Sequence, residues 1–215
     1  MKPKLFLTVF FIIASSSFIY AQGNDDEKMQ TLFGNEPVIV GGYGGPRVGF
    51  SQFDGKDIWL VGGRGGAIFN HVFSIGGAGY GIVNSPYFSS ITFKDSTYND
   101  VYLEGGYGGL QLEYILKPYK VVHISFPLLI GAGGLQFTDE RYINTQDYNL
   151  NNHIICNKAF FVIEPGLEIE LNVIRFMRLA IGLSYRYAHG VELPDVSSNA
   201  FNTLTGSVSL KFGSF

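Results

Sequence analysis

Between residues 120 and 134 the chain alternates with a period of two. Val122, Ile124, Phe126, Leu128, Ile130 and Ala132 form one face, opposite His123, Ser125, Pro127 and Gly131. In 160–171 Phe161, Ile163, Pro165, Leu167, Ile169 and Leu171 oppose Phe160, Val162, Glu164, Gly166, Glu168 and Glu170. Met177, Leu179, Ile181, Leu183, Tyr185 and Tyr187 oppose Arg178, Ala180, Gly182, Ser184, Arg186 and Ala188, and Leu204, Val208, Leu210 and Phe212 oppose Thr205, Ser207, Ser209 and Lys211. A period of two is the signature of a strand with unlike faces. Segments of this kind bounded by turn residues predict eight strands, at 37–52, 57–69, 72–84, 101–116, 120–138, 159–171, 175–188 and 203–213. Each reaches the roughly 9–11 residues that cross a bilayer at barrel tilt.

The connections sort by length. The second, fourth and sixth are tight, at Asn70-His71, Lys117-Pro118-Tyr119 and Asn172-Val173-Ile174. The third, fifth and seventh, 85–100, 139–158 and 189–202, are long and polar, and the first, 53–56, is a short turn. An even strand number with short periplasmic turns and longer outer loops is the plan of a bacterial outer-membrane barrel. The expected fold is therefore all-β, an eight-stranded antiparallel up-and-down transmembrane barrel. A soluble barrel, apolar inside and polar outside, is the alternative for the same alternation.

Composition narrows the picture. Hydrophobic residues make up 46% and charged residues 15%, with a mean hydropathy of +0.16, which excludes intrinsic disorder. The 28 glycines among 19 Phe and 13 Tyr argue against a helical protein. Residues 1–21 read as a signal peptide: Lys2 and Lys4, an apolar run from Leu5 to Ala14, and a small residue at Ala21. Residues 22–35 form a polar, acidic, flexible segment, and 36–215 the barrel. The net charge is −3 and becomes more negative when Lys2 and Lys4 leave with the leader, so nucleic acid is not an expected partner. Cys156 stands alone and has no intrachain disulfide partner.

Glycine clusters recur at 41–45, 62–66, 76–79, 105–109 and 131–134. None is followed by a helix with Lys-Ser/Thr, so a nucleotide loop is not read from them. Within long strands, glycine marks tight curvature and room for large neighbours. The polar faces direct Glu113, Glu164, Glu168, Glu170, Arg178, Arg186 and Lys211 inward, with Arg47 and Arg64. Eight strands enclose a space that side chains fill, so these charges are expected to pair as an internal ion network, with Glu168 opposite Arg178 across a tight turn. Tyr114, Tyr119, Phe69, Phe73 and Phe176 near the tight turns, and Tyr102, Phe137, Tyr185 and Tyr187 near the long loops, fall at two interfacial levels. His189, Glu192 and Asp195 lie in the last long loop, and His153 and Cys156 share another, too few ligands for a zinc site. No catalytic residue, cofactor or metal is assigned.

The leader, the eight strands, the run 164–173 from Glu164-Pro165-Gly166, Arg178-Leu179 through Tyr185-Arg186-Tyr187 and the terminal Phe215 together resemble small Gram-negative outer-membrane β-barrel proteins in the OmpA/OmpX style. The resemblance implies location in the outer membrane and insertion by the barrel-insertion machinery, which would read Phe215 as a terminal aromatic. Phe215 is in phase with Lys211 rather than Phe212, and a bulge at Gly213 would restore the phase. Some barrels of this kind modify lipids, and His123 with Ser125 resembles the His/Ser pair of outer-membrane lipid A deacylases. Both residues sit on the lumen face near the tight turns, away from lipid. The expected partners are outer-membrane lipid and an extracellular ligand held by the Tyr-, Ser- and Asn-rich loops. The expected function is non-catalytic, structural or surface-binding through the extracellular loops; the alternatives are a small barrel that passes or binds hydrophobic or small molecules, and a lipid-modifying outer-membrane enzyme.

Overall fold

The computed structural model describes residues 37–139 and 154–215. The leader, the acidic segment, Tyr142, Tyr148 and His153 lie outside them. Among the described residues there are nine strands: β1 (Val40–Phe53), β2 (Lys56–Phe69), β3 (Phe73–Ile82), β4 (Tyr87–Phe93), β5 (Ser96–Leu116), β6 (Val122–Thr138), β7 (Ile154–Ile174), β8 (Met177–His189) and β9 (Thr203–Ser214). The order is β3-β2-β1-β9-β8-β7-β6-β5-β4, and β3 also pairs with β5. That last pairing closes an eight-stranded antiparallel ring. It runs from Phe73 opposite Tyr114 to Gly81 opposite Gly106.

The ninth strand is a departure from expectation. Residues 85–100 do not form an irregular loop. Tyr87 to Phe93 fold back on Ser96 to Tyr102, so β5 continues past the ring and β4 pairs with it alone. The hairpin turns at Lys94-Asp95, both with positive φ (50° and 62°), as a two-residue turn matching strand twist requires. Asp54-Gly55 does the same between β1 and β2, with φ of 49° and 74°.

Register settles which way the glycine-rich strands face. Tyr43, Arg47, Ser51, Phe53, Ile58, Leu60, Arg64, Ile68, Ser74 and Tyr80 are buried. Val48, Phe50, Trp59, Val61 and Ile75 are exposed, and with Leu110, Ile124, Phe126, Leu167, Ile169, Ile181, Leu183 and Val208 they make an apolar outer wall. Glycines meet across five adjacent strands: Gly44 with Gly65, Gly65 with Gly77, Gly79 with Gly108, Gly106 with Gly134. Inside the ring, absent side chains make room for neighbours. A Cβ on Gly182 would stand 2.5 Å from Glu168 Cγ, and one on Gly133 2.5 Å from Phe160 Cζ.

Candidate functional site

The interior is the candidate site, and it has two layers. At the short-turn end the inward positions of β2, β5, β6, β7, β8 and β9 carry charge. Arg64 forms a fork onto Glu168, with NH1 to Oε1 at 2.9 Å and NH2 to Oε2 at 2.7 Å, and it also donates to Ser209. Lys211 lies between Glu113 and Glu170, 2.5 Å from each. Glu170 further accepts from Ser125 (2.7 Å) and contacts His123 Nε2 (3.0 Å), and Tyr43 donates to Glu113 at 2.9 Å. Arg47 bridges upward, donating to Tyr80 (3.0 Å), Ser184 (3.2 Å) and Glu164 (3.4 Å). All of these charged groups are buried, which demands pairing because an isolated buried ion costs several kcal/mol, order of magnitude.

At the long-loop end the filling is apolar. Phe53, Phe88, Leu103, Tyr107, Leu135, Phe137, Phe160, Val162, Val191, Leu193 and Phe201 belong to one buried cluster. The ion network expected from the polar faces is thus confined to part of the ring. Charge occupies the half nearest the short turns, and aromatic packing the other. The connection 190–202 turns inward to complete it: Phe201 is fully buried, edge-on to Phe160 (5.4 Å) and Phe53 (5.7 Å). Arg186 sits beneath, its guanidinium 3.6 Å from the Phe201 ring centroid. Its donors go to Phe201 O, Tyr107 and Ser51, and no carboxylate pairs with it among the described residues.

Three further expectations are corrected. Glu168 does not meet Arg178. The last tight turn lies at Arg175-Phe176, so Arg178 stands opposite Asn172, four residues further along β7, and its nearest carboxylate oxygen is on Glu170 at 3.6 Å. Phe137 is inside the cluster and no part of an outer aromatic level, whereas Tyr114, Tyr119, Phe176, Tyr185 and Tyr187 are exposed. No bulge forms at Gly213: Gly42, Tyr43 and Gly44 face Ser214, Gly213 and Phe212 in unbroken register. Phe215 follows Lys211 inward, stacked on Tyr43 and 4.0 Å above Arg178.

His123 and Ser125 do not form a nucleophile-base pair, since both are spent on Glu170, and His123 Nδ1 lies 3.2 Å from Lys120 O. In the upper hairpin, Tyr87 donates to Asp100 at 2.6 Å, and that bond raises its phenol above the usual tyrosine range. Asp195 accepts from Thr92 N at 2.6 Å, tying 190–202 to β4. His189 and Glu192 are exposed. Glu113, Glu168 and Glu170 have carboxylate oxygens within 4.8 Å of one another, a spacing suited to a cation, but Lys211 already occupies the place between them. Gln111 was not singled out in the sequence, yet it lies buried between the layers with both amide atoms unpartnered.

An antiparallel eight-stranded ring with an apolar outside and a filled inside defines the fold class of the small outer-membrane barrels. The chain is similar to the crystal structure of Neisserial surface protein A, with 11% identity, 82% of this chain and 99% of that one covered, and a TM-score of 0.50. It is also similar to the N-terminal β-barrel domain of Pseudomonas aeruginosa OprF (10% identity, 80% and 96% covered, TM-score 0.47). A third is the attachment invasion locus protein Ail of Yersinia pestis (12% identity, 81% and 95% covered, TM-score 0.39). At 11% identity the likeness to Neisserial surface protein A is one of fold alone. No protein-family model matches the chain, and no curated protein matches it in sequence.

Proposed function

We propose that this protein is an integral outer-membrane barrel with a closed interior. It is a non-catalytic scaffold that presents the β4–β5 hairpin and its neighbouring loops at the cell surface. The observation that carries this reading is the inversion of the molecule. Large apolar side chains cover the outer wall while the charges lie inside in pairs. In water such a wall would be an association site over its whole circumference, and in lipid it is the required solvent contact. The two interior layers fill the ring with buried side chains, and eight strands give little room for an ion channel. Tyr87 and Tyr98 on the hairpin are exposed, the contact chemistry that suits recognition.

The test joins two measurements on the full chain. Extracted from membranes, the protein should migrate differently in SDS before and after boiling. Reconstituted in a planar bilayer, it should show no stepwise conductance. Recovery in the soluble fraction with one mobility would sink the membrane reading, and regular conductance steps would sink the closed interior.

A further inference from the structure

The short-turn mouth of the ring is a basic bowl. A cavity of about 480 Å³ opens there, lined by His71, Tyr119, Asn172, Arg175, Arg178 and Phe215 with two apolar neighbours. It is built from all three tight turns. His71 and Tyr119 meet across it with ring centroids 5.3 Å apart, and Asn172 pins the Lys117–Val121 turn by donating to Pro118 O (3.1 Å) and Lys120 O (2.8 Å). Phe215 lies over the guanidinium of Arg178. The turns around the mouth carry Lys117, Lys120 and Arg175 on the surface, and no aspartate or glutamate occurs among the described residues at 37–39, 70–72, 117–121, 172–178 or 213–215. The opposite end is the acidic one, with Asp54, Asp57, Asp95, Asp100, Glu192 and Asp195.

Arg178 turns this surplus of charge into a site. It is 4% exposed and lines the bowl, yet its Nε and NH1 have no hydrogen-bond partner. Glu170, at 3.6 Å, is beyond hydrogen-bond distance and already engages Lys211, Ser125 and His123. A guanidinium at the floor of a cavity, held only by a long ion pair to Glu170 and by the ring of Phe215, has donors that a small rotation would turn from the enclosed side onto a fork-shaped acceptor in the bowl.

We propose that the short-turn mouth binds a phosphate group, with Arg178 at its floor and Arg175 at its rim. Tyr119 and Ile174 would pack against the carbon skeleton that carries the phosphate. That group belongs either to a soluble phosphate ester or to the headgroup of an anionic phospholipid.

The experiment uses the full chain in zwitterionic lipid nanodiscs with arginine side chains labelled with ¹⁵N. Glycerol 3-phosphate is titrated in one arm. In the other, phosphatidylglycerol replaces part of the phosphatidylcholine. Saturable shifts of the Arg178 and Arg175 signals are expected. Affinity should fall at least tenfold in Arg178→Gln and in Arg175→Gln, and stay unchanged in Lys94→Gln at the far end. Response to glycerol 3-phosphate identifies a soluble ester, and response to phosphatidylglycerol alone identifies a headgroup. If neither probe shifts the two signals, or if both arginine variants bind as the wild type does, the proposal is overturned. Arg175 lies on an exposed turn, so its variant keeps the test decisive should Arg178→Gln fail to fold.

Discussion

Lys211 holds two carboxylates at once, and no other cation forms an ion pair with Glu113 among the described residues. Lys211→Met should therefore leave two buried anions facing each other and cost about 3–5 kcal/mol, the range for breaking a buried pair from one side. Urea unfolding in detergent micelles measures it, and the double variant Lys211→Met with Glu170→Gln should recover part of the loss. Gln111 poses the opposite case. Its amide is buried without partners, so Gln111→Leu should raise the unfolding free energy by about 1 kcal/mol. A fall in stability would mean that the amide has a partner, such as a bound water, holding it in place.

Among the elements, the connection 190–202 does the work of a stopper, because Phe201 fits among Phe53, Tyr107 and Phe160. Phe201→Ala should cost about 3–5 kcal/mol, as large-to-small changes in packed cores do, read from the same unfolding curves. The eight ring strands were legible because alternation survives wherever one face is apolar, as in 160–171 and 177–188. The hairpin at 87–100 was not, since Ser, Thr, Asn and Asp dominate it. Its signal was Phe88 and Ile91, which are buried, ahead of a two-residue turn. The pairing of charges was legible only as a set. Arg64 and Glu168 lie on β2 and β7, which are not neighbours in the sheet, and strand register cannot foresee contacts across a ring. The aromatic upper layer was hinted at by Phe160 and Val162, apolar residues on a face otherwise carrying Glu164, Glu168 and Glu170.

For the molecule as a whole, the solvent of the outer wall decides the energetics. Ile181 is 58% exposed, and on a soluble protein a charge there would change stability by no more than about 0.5 kcal/mol. On a wall facing the bilayer midplane, Ile181→Arg should cost about 2–4 kcal/mol. Reversible unfolding from lipid vesicles distinguishes the two, and a negligible change would refute the membrane setting of this face.

The unbroken seam between β1 and β9, with Gly42 opposite Ser214, brings both ends of the barrel chain to the same rim. The ring therefore has no intrinsic first strand. A circular permutant that joins Ser214 to Val40 through a short Asn-Gly turn and opens between Asp54 and Gly55 keeps every strand pairing of the ring. It should fold in detergent to the same heat-sensitive mobility as the parent. The join also omits Phe215, whose ring lies on Tyr43 and Arg178, so the difference in unfolding free energy between permutant and parent reports what that ring adds to closing the seam.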